Sequence, residues 1–340
     1  MSHVLSREAH EIYRASQIVD LHVDTFIWTR IFGYDLLRRH GRGPLGARFL
    51  GQADLPRLRE ANVGGAIWSI TTNPLRRRSR RTMVFRKNLE RLIAIFARAP
   101  GEVTLCRSAA DHRAARTAGR HAAFLGVQGG NAFDGDLVLE TFDASLLLKV
   151  TLVHLSTSSL GSTSAPSLGK KGGLSDRGRT LVRALNHHRV FVDLAHINRQ
   201  GFFDAVEVHD RTQPLLVSHT GIAGVHRHWR NVDDEQLRAV ANTGGVVGVM
   251  YQSSFLGEPA LFGRAEAIVK HLSHIIDVVG EDFAALGSDW DGAIVTPRDM
   301  ATCLELPYLC ELMLRRGWSA ERIHKIFGGN FLRALAALRP

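Results

Sequence analysis

The stretch Ile18-Val19-Asp20-Leu21-His22-Val23-Asp24-Thr25 sets the reading of this chain. Ile18, Val19 and Leu21 make an apolar, strand-like run that ends in His22 and Asp24, with one residue between them. Side chains alternate faces along a strand, so residues i and i+2 point the same way. One strand end therefore presents an imidazole and a carboxylate to a common volume. A neutral His nitrogen and a carboxylate oxygen are both ordinary zinc ligands. A buried His hydrogen-bonded to a capping Asp would leave the same local pattern, so the other strand ends have to decide.

Working outward, seven more short apolar runs follow: 64–70 (GGAIWSI), 122–128 (AAFLGVQ), 146–154 (LLLKVTLVH), 190–195 (VFVDLA), 214–218 (PLLVS), 244–251 (GGVVGVMY) and 283–288 (FAALGS). Helical patterns separate them, at 55–61, 82–99, 175–188, 201–209, 233–243 and 265–279, with more helix from 299 to 316 and from 320 to the end. In the segment 82–99, Leu89, Leu92, Ile93 and Phe96 share one face, and Ser175 is placed to cap the helix after it. Strands alternating with helices over most of 340 residues predict a single α/β domain, a (β/α)8 barrel of the TIM type spanning 1–340 with its core at about 18–333. A doubly wound sheet would carry a glycine fingerprint after its first strand, and none is present. The polar loops 33–51 and 156–173 are long enough to serve a site.

The net charge is +10, and Arg supplies nearly all of the positive side because Lys occurs six times. The densest run, Arg76-Arg77-Arg78-Ser79-Arg80-Arg81, lacks interleaved aromatics and reads as a solvated loop or helix start rather than a nucleic-acid surface. No apolar run approaches the ~20 residues that span a bilayer. The N-terminal segment is polar and amphipathic, without the apolar core of a secretory signal, so a cytoplasmic protein with no membrane partner is expected. Cys106, Cys303 and Cys310 form no CxxC pair. Cys303 and Cys310 are expected on one helix, about two turns apart and too far to bridge, which fits a reducing compartment.

Barrel enzymes carry their chemistry at the C-terminal ends of the strands. Here the first run ends in His22 and Asp24, the third in Gln128, the fourth in His154, the fifth in His196, the sixth in His219 and the last in Asp289. Histidines and carboxylates converging on one or two cations, zinc by ligand type, point to hydrolysis by metal-activated water. His154, outside the ligand set, can stabilise a developing oxyanion. Asp289 can take a proton from water or bind a substrate ammonium. Arg230, within the basic stretch His226–Asn231 after the sixth run, can clamp a carboxylate.

These residues fall within stretches that resemble the membrane (renal) dipeptidase family of amidohydrolase-like metallohydrolases. The stretches are VDLHVDT, GQADLPRLREANVGGAIWSI, LGVQGGNAF, TLVH, GLSDRGRTLVRALN, VDLAHI, VSHTG, RNVDDEQL, GSDWDG and KIFGGNFLR, in family order from about residue 18 to 333. The resemblance implies a barrel that holds two zinc ions and hydrolyses dipeptides, often with a D-residue at the C-terminal position. It implies that His22 and Asp24 ligate one ion and that His196 and His219 ligate the other. It further implies that His154 faces the substrate, that Arg230 binds its carboxylate, that Asp289 is the acid at the last strand, and that the chain forms a homodimer.

One match departs from the family. Where relatives carry a glutamate bridging both ions, this chain has Gln128, followed by Gly129, Gly130 and Asn131, the last in place of a usual His. A neutral amide offers one good acceptor oxygen and removes a negative charge from between two cations. Losing that compensation in a low-dielectric site costs several kcal/mol, enough to empty one position. The leading expectation is therefore a zinc-dependent hydrolase of dipeptides or related small amides, with a modified centre of one or two ions and Gln128 within it. The second is a diverged, non-hydrolytic or single-metal relative that binds or processes another small molecule. In both, the partner is a small molecule and not a nucleic acid.

Overall fold

Eight parallel strands stand side by side in the computed structural model, which describes residues 3–43, 45–73, 76–133, 143–166 and 172–340. They are β1 (Ile18–Val23), β2 (Val63–Thr71), β4 (His121–Gln128), β5 (Leu147–Thr151), β6 (Phe191–Asp193), β7 (Leu216–Thr220), β8 (Val246–Val249) and β9 (Ala284–Leu286). A short extra strand, β3 (Val103–Leu105), pairs with β4 outside this ring. Each ring strand pairs with the next in parallel, from β1–β2 round to β8–β9. The ring nearly closes where Val23, the last residue of β1, bridges Trp290, just beyond β9, with Asp24 N donating to Trp290 O at 2.8 Å and Asp289 N to His22 O at 3.0 Å. This is the TIM-type barrel that the alternating pattern predicts.

The strands read as unbroken apolar runs because both of their faces are buried, one against the helices and one against the barrel interior. The helices start where their caps dictate. Ser175 accepts from Gly178 N, and Ser108 and Asp233 each form a reciprocal capping box. The 78–97 helix, Arg78–Ala97, buries Phe85, Leu89, Leu92, Ile95 and Phe96 and begins inside the arginine run.

Several boundaries differ from the sequence expectation. β5 ends at Thr151 and β6 at Asp193, so His154 and His196 each stand three residues past their strand, on the loop rather than at its tip. Cys303 lies in a 3-10 turn ahead of the Leu306–Arg315 helix that carries Cys310, so the two do not share one α-helix; all three cysteines are free and buried. Part of the loop expected at 156–173, residues 167–171, and Pro44 of the 33–51 loop lie outside the described residues. Among the described residues no helix is long and apolar enough to cross a membrane.

Candidate metal centre at the barrel mouth

The C-terminal ends of the strands bring His22, Asp24, Gln128, His196, His219 and Asp289 into one buried cluster. His22 Nε2 is 3.5 Å from Asp24 Oδ1 and 3.8 Å from Asp289 Oδ1. His196 Nε2 and His219 Nε2 are 2.9 Å apart. Gln128 Nε2 is 3.1 Å from the first of these and 3.3 Å from the second, so the amide joins the two halves of the cluster. The rings of His22 and His219 face each other at 3.8 Å between centroids, and His154 packs edge-on to His196 at 4.7 Å. Arg230 is 4 % exposed and donates through Nη2 to His219 O at 2.7 Å, which places its guanidinium against the same histidine.

Backbone conformation aims two of these side chains. His196 (φ 67°) and Asp289 (φ 63°) both sit in the left-handed region, where a non-glycine residue is strained by about 1–3 kcal/mol. After Gln128 the chain turns at Gly129 (φ 101°), where a Cβ would come within 2.2 Å of Thr72 Oγ1. Asp291 ties the loops together, accepting from Gln52 N at 2.8 Å, Ala53 N at 3.1 Å and Thr25 Oγ1 at 2.6 Å.

Beneath the cluster lies a buried lysine. Lys149 of β5 points into the barrel, where its Nζ donates to Asp193 Oδ2 at 2.7 Å, Ser218 Oγ at 2.9 Å and His22 Nδ1 at 2.9 Å. Its stem passes over Gly126 of β4, where a Cβ would lie 2.9 Å from Lys149 Cγ. Asp193 also accepts from Ser218 Oγ at 2.6 Å and Thr151 Oγ1 at 2.5 Å. Burial raises the Asp193 carboxyl, but Lys149 and these hydroxyls overcome it and hold the group far below the usual carboxylate range.

This network fixes where the ring protons sit. Ser218 spends its proton on Asp193, so it accepts from His219 Nδ1 at 2.8 Å and leaves the lone pair of His219 Nε2 facing the cluster, where His196 Nε2 at 2.9 Å and Gln128 Nε2 at 3.3 Å meet it. His22 is set the other way. Lys149 Nζ at 2.9 Å and Ser69 Oγ at 3.2 Å both reach His22 Nδ1; an ammonium can only donate, so Nδ1 accepts from the nearer Lys149 and the ring proton is assigned to Nε2, toward Asp24 and Asp289.

Burial dominates the titration of the site. It pushes His22, His196 and His219 below the ordinary histidine value and His154 down to about 4, so all four are neutral near pH 7. Burial, reinforced by the charge on Asp24, pushes Asp289 well above the ordinary carboxylate value. The Arg230 guanidinium is lowered to about 10 by burial against the pull of Asp289.

The donor set fits a divalent cation. The ligand atoms of His22, His219 and Asp289 lie within 4.8 Å of one another, and His22 Nε2, buried without a hydrogen-bond partner, would have to give up its proton to join a cation there. Gln128 can join in one orientation. Thr71 has one proton and reaches both Asp24 Oδ1 at 2.6 Å and Gln128 Oε1 at 2.9 Å. With that proton on Asp24, an amide turned by 180° donates to Thr71 and presents Oε1 to His196 and His219. Asn131 is buried beside this loop with its Oδ1 unpartnered.

The family model of the membrane dipeptidases matches residues 6–339. The chain belongs to the membrane dipeptidase family, peptidase family M19. An uncharacterized protein in the pqqA 5′ region of Klebsiella pneumoniae is 31 % identical over 254 residues, covering 71 % of this chain and 91 % of that protein. A metallopeptidase from Rhodobacter sphaeroides, solved with a phosphinate mimic of the dipeptide L-Ala-D-Ala, superposes with a TM-score of 0.81 at 26 % identity, covering 94 % of this chain and 98 % of its own. The probable dipeptidase PvdM from Pseudomonas aeruginosa shares the fold, with a TM-score of 0.84 at 18 % identity and 98 % of both chains covered. Membership of this metallopeptidase family implies a metal cofactor and a hydrolytic enzyme.

The sequence reading did not single out Lys149, Asp193, Ser218 or Thr71. Lys149 left a signal: it is a lone charge inside the apolar run LLLKVTLVH, and a charge that deep needs a partner. The hydroxyls left none, because Ser and Thr are common at any strand end.

Proposed function

We propose that this chain hydrolyses dipeptides or closely related small amides with a single divalent cation, zinc by ligand type. The cation is held on the His196–His219 side of the cluster, with Asp289 and the Gln128 carbonyl oxygen as further donors. The observation that carries this reading is the opposite setting of two histidines by one buried network: His219 offers a lone pair to the cluster, whereas His22 turns an N–H toward it. A ligating His ordinarily donates its other ring N–H to a carbonyl or carboxylate, as His219 does to a hydroxyl, and a lysine ammonium in that position works against ligation by His22. Gln128 acts in the same direction, since it supplies no anionic oxygen to a second ion.

A bound cation would supply Lewis acidity and an activated water. The remaining functions belong to the protein. Arg230, desolvated and lacking a partner at Nε, anchors the substrate carboxylate. His154 is neutral and can donate an N–H to the oxygen of the scissile carbonyl as charge develops there. Asp289, whose Oδ1 lies 3.8 Å from His22 Nε2 at the end of the last strand, is placed to take the proton that water loses and to pass it to the departing amine.

Metal content per chain, measured by elemental analysis after zinc loading and dialysis, tests the reading together with hydrolysis of L-Ala-L-Ala and L-Ala-D-Ala. One ion per chain with turnover is expected. Two ions would overturn the account of Lys149 and Gln128. No bound ion and no turnover would favour the alternative, a family member that binds a small molecule without hydrolysing it.

A further inference from the structure

Next to the metal centre the barrel mouth opens into a second cavity of about 420 Å³. Its walls are the end of β2, the segment Phe26–Phe32 that follows β1, and the Arg78–Ala97 helix. Thr71 and His154 line it. Thr71 bonds both Asp24 and Gln128, so the cavity is one side chain away from the candidate ligands.

Three arginines line this cavity, Arg30, Arg76 and Arg91. Each comes from a different element, and none has an ion-pair partner among the described residues. Arg30 spends Nη1 on Thr71 O at 2.8 Å and lies 5.5 Å from the centre of the Phe26 ring, while its Nε is buried without a partner. Arg91 reaches Thr29 O at 3.1 Å through one Nη2. Among the described residues no acceptor meets the Arg76 side chain. The three crowd one another: burial lowers the Arg30 guanidinium, the charge of Asp24 opposes this, and Arg76 and Arg91 lower it further. The polar side chains of Thr72 and Asn88 complete the lining.

Several arginines elsewhere on the molecule do have carboxylate partners. Arg39 meets Glu60, Arg59 meets Glu102, Arg107 meets Asp143 and Arg199 meets Asp233. Three cations with no carboxylate partner among the described residues, set around one concavity beside the candidate site, form an anion trap. Like charges held together cost free energy that an incoming anion relieves, and guanidinium forks suit carboxylate and phosphate.

We propose that this cavity is a subsite for a second anionic group on the substrate. It rests on the hydrolase reading above and narrows it: the preferred substrate carries, besides the carboxylate held by Arg230, an acidic side chain that reaches Arg30, Arg76 and Arg91. A neutral dipeptide fills the metal centre and leaves the cavity uncompensated. The arginine-rich run at 76–81 thus has a local purpose at its first residue, Arg76, while the residues from Arg78 onward build the helix.

The experiment has two readouts. Hydrolysis is compared for Ala-Ala, Ala-Asp, Asp-Ala, Ala-Glu and Ala-phosphoserine. Binding of Ala-Ala and Ala-Asp is measured by calorimetry on EDTA-treated protein, where no turnover occurs. Acidic dipeptides are expected to bind at least about tenfold more tightly than Ala-Ala, the effect of one well-made charged contact. In the double variant Arg76→Ala/Arg91→Gln the ratio of acidic to neutral binding is expected to fall by about tenfold. Phosphoserine outranking Asp and Glu would assign the site to phosphate; the reverse order would assign it to carboxylate. Equal binding of neutral and acidic dipeptides, or a ratio untouched by the double variant, overturns the proposal whatever the enzyme hydrolyses. Acid-selective binding without hydrolysis of any dipeptide supports the subsite and overturns the dipeptidase reading instead.

Discussion

Lys149 Nζ lies 2.7 Å from Asp193 Oδ2 with both side chains fully buried, and the same nitrogen is 2.9 Å from His22 Nδ1. One ion pair in the barrel interior thereby sets the proton of a histidine at the barrel mouth. Replacing Lys149 by Met keeps the length of the stem and leaves Asp193 as an uncompensated buried charge. Such losses cost about 3–5 kcal/mol. Urea denaturation of Lys149→Met should show a fall of that size. Adding Asp193→Asn should recover part of it, because the stranded charge is gone. A single variant within about 1 kcal/mol of the parent would contradict the pairing.

Gln128→Glu restores an anionic oxygen between His196 and His219. Metal retained after dialysis should rise above the parent level, and the combination with Lys149→Met should approach two ions per chain. Elemental analysis reads both. An unchanged metal content in Gln128→Glu would mean that the missing carboxylate does not limit occupancy.

Arg230 is placed to hold a carboxylate by a charged hydrogen bond, worth about 1.5–3 kcal/mol. Arg230→Met should therefore raise KM for a dipeptide by about ten- to a hundredfold with a smaller effect on kcat. Arg230→Lys should recover little, since a point charge lacks the planar fork. The parent enzyme should discriminate against a dipeptide amide, and the Met variant should not. Equal discrimination in both would move the carboxylate site elsewhere.

His121 gives the protein an acid-side instability. Its Nδ1 lies 2.9 Å from Val63 O and its Nε2 accepts from Trp68 Nε1 at 3.2 Å, a pattern that only the neutral ring can satisfy. Burial lowers it from 6.5 to about 4. His271 is built alike, accepting from Ile222 N at 2.8 Å, and also falls to about 4 through burial. Between pH 6.5 and 4 the unfolded chain binds these protons and the native one does not. The stabilisation is thus complete above 6.5 and is lost as pH falls toward 4, by up to about 3 kcal/mol for each ring. Denaturation midpoints measured from pH 7 to 4.5 should fall, and less steeply in His121→Leu. A flat profile in the parent would refute this.

Much of the barrel was legible because its strands are buried on both faces, which leaves apolar runs such as AAFLGVQ that no helix-period pattern imitates. β3 was not, since three residues carry too little pattern to be seen. Strand ends were overrun at His154 and His196 because apolar residues continue past the last ladder bond into buried loops. Histidines and aspartates at run ends announced the mouth of the barrel. The lysine under it showed only as a lone charge in an apolar run, and no local spacing named Asp193, Ser218 and His22 as its partners. The arginine cavity depends on the short helix Phe26–Phe32 meeting a helix some fifty residues later, and no local spacing encodes that meeting.

Gly126 and Lys149 stand opposite each other on neighbouring strands, and the lysine stem occupies the room that a side chain at 126 would need. That arrangement has a direction in time. A lineage carrying the lysine cannot acquire even an alanine at 126 without crowding Lys149 Cγ at 2.9 Å and Ile67 Cγ2 at 3.0 Å, whereas a lineage that drops the lysine first has only Ile67 to shift. Change at the two positions should therefore follow a fixed order, with the lysine leaving before 126 enlarges.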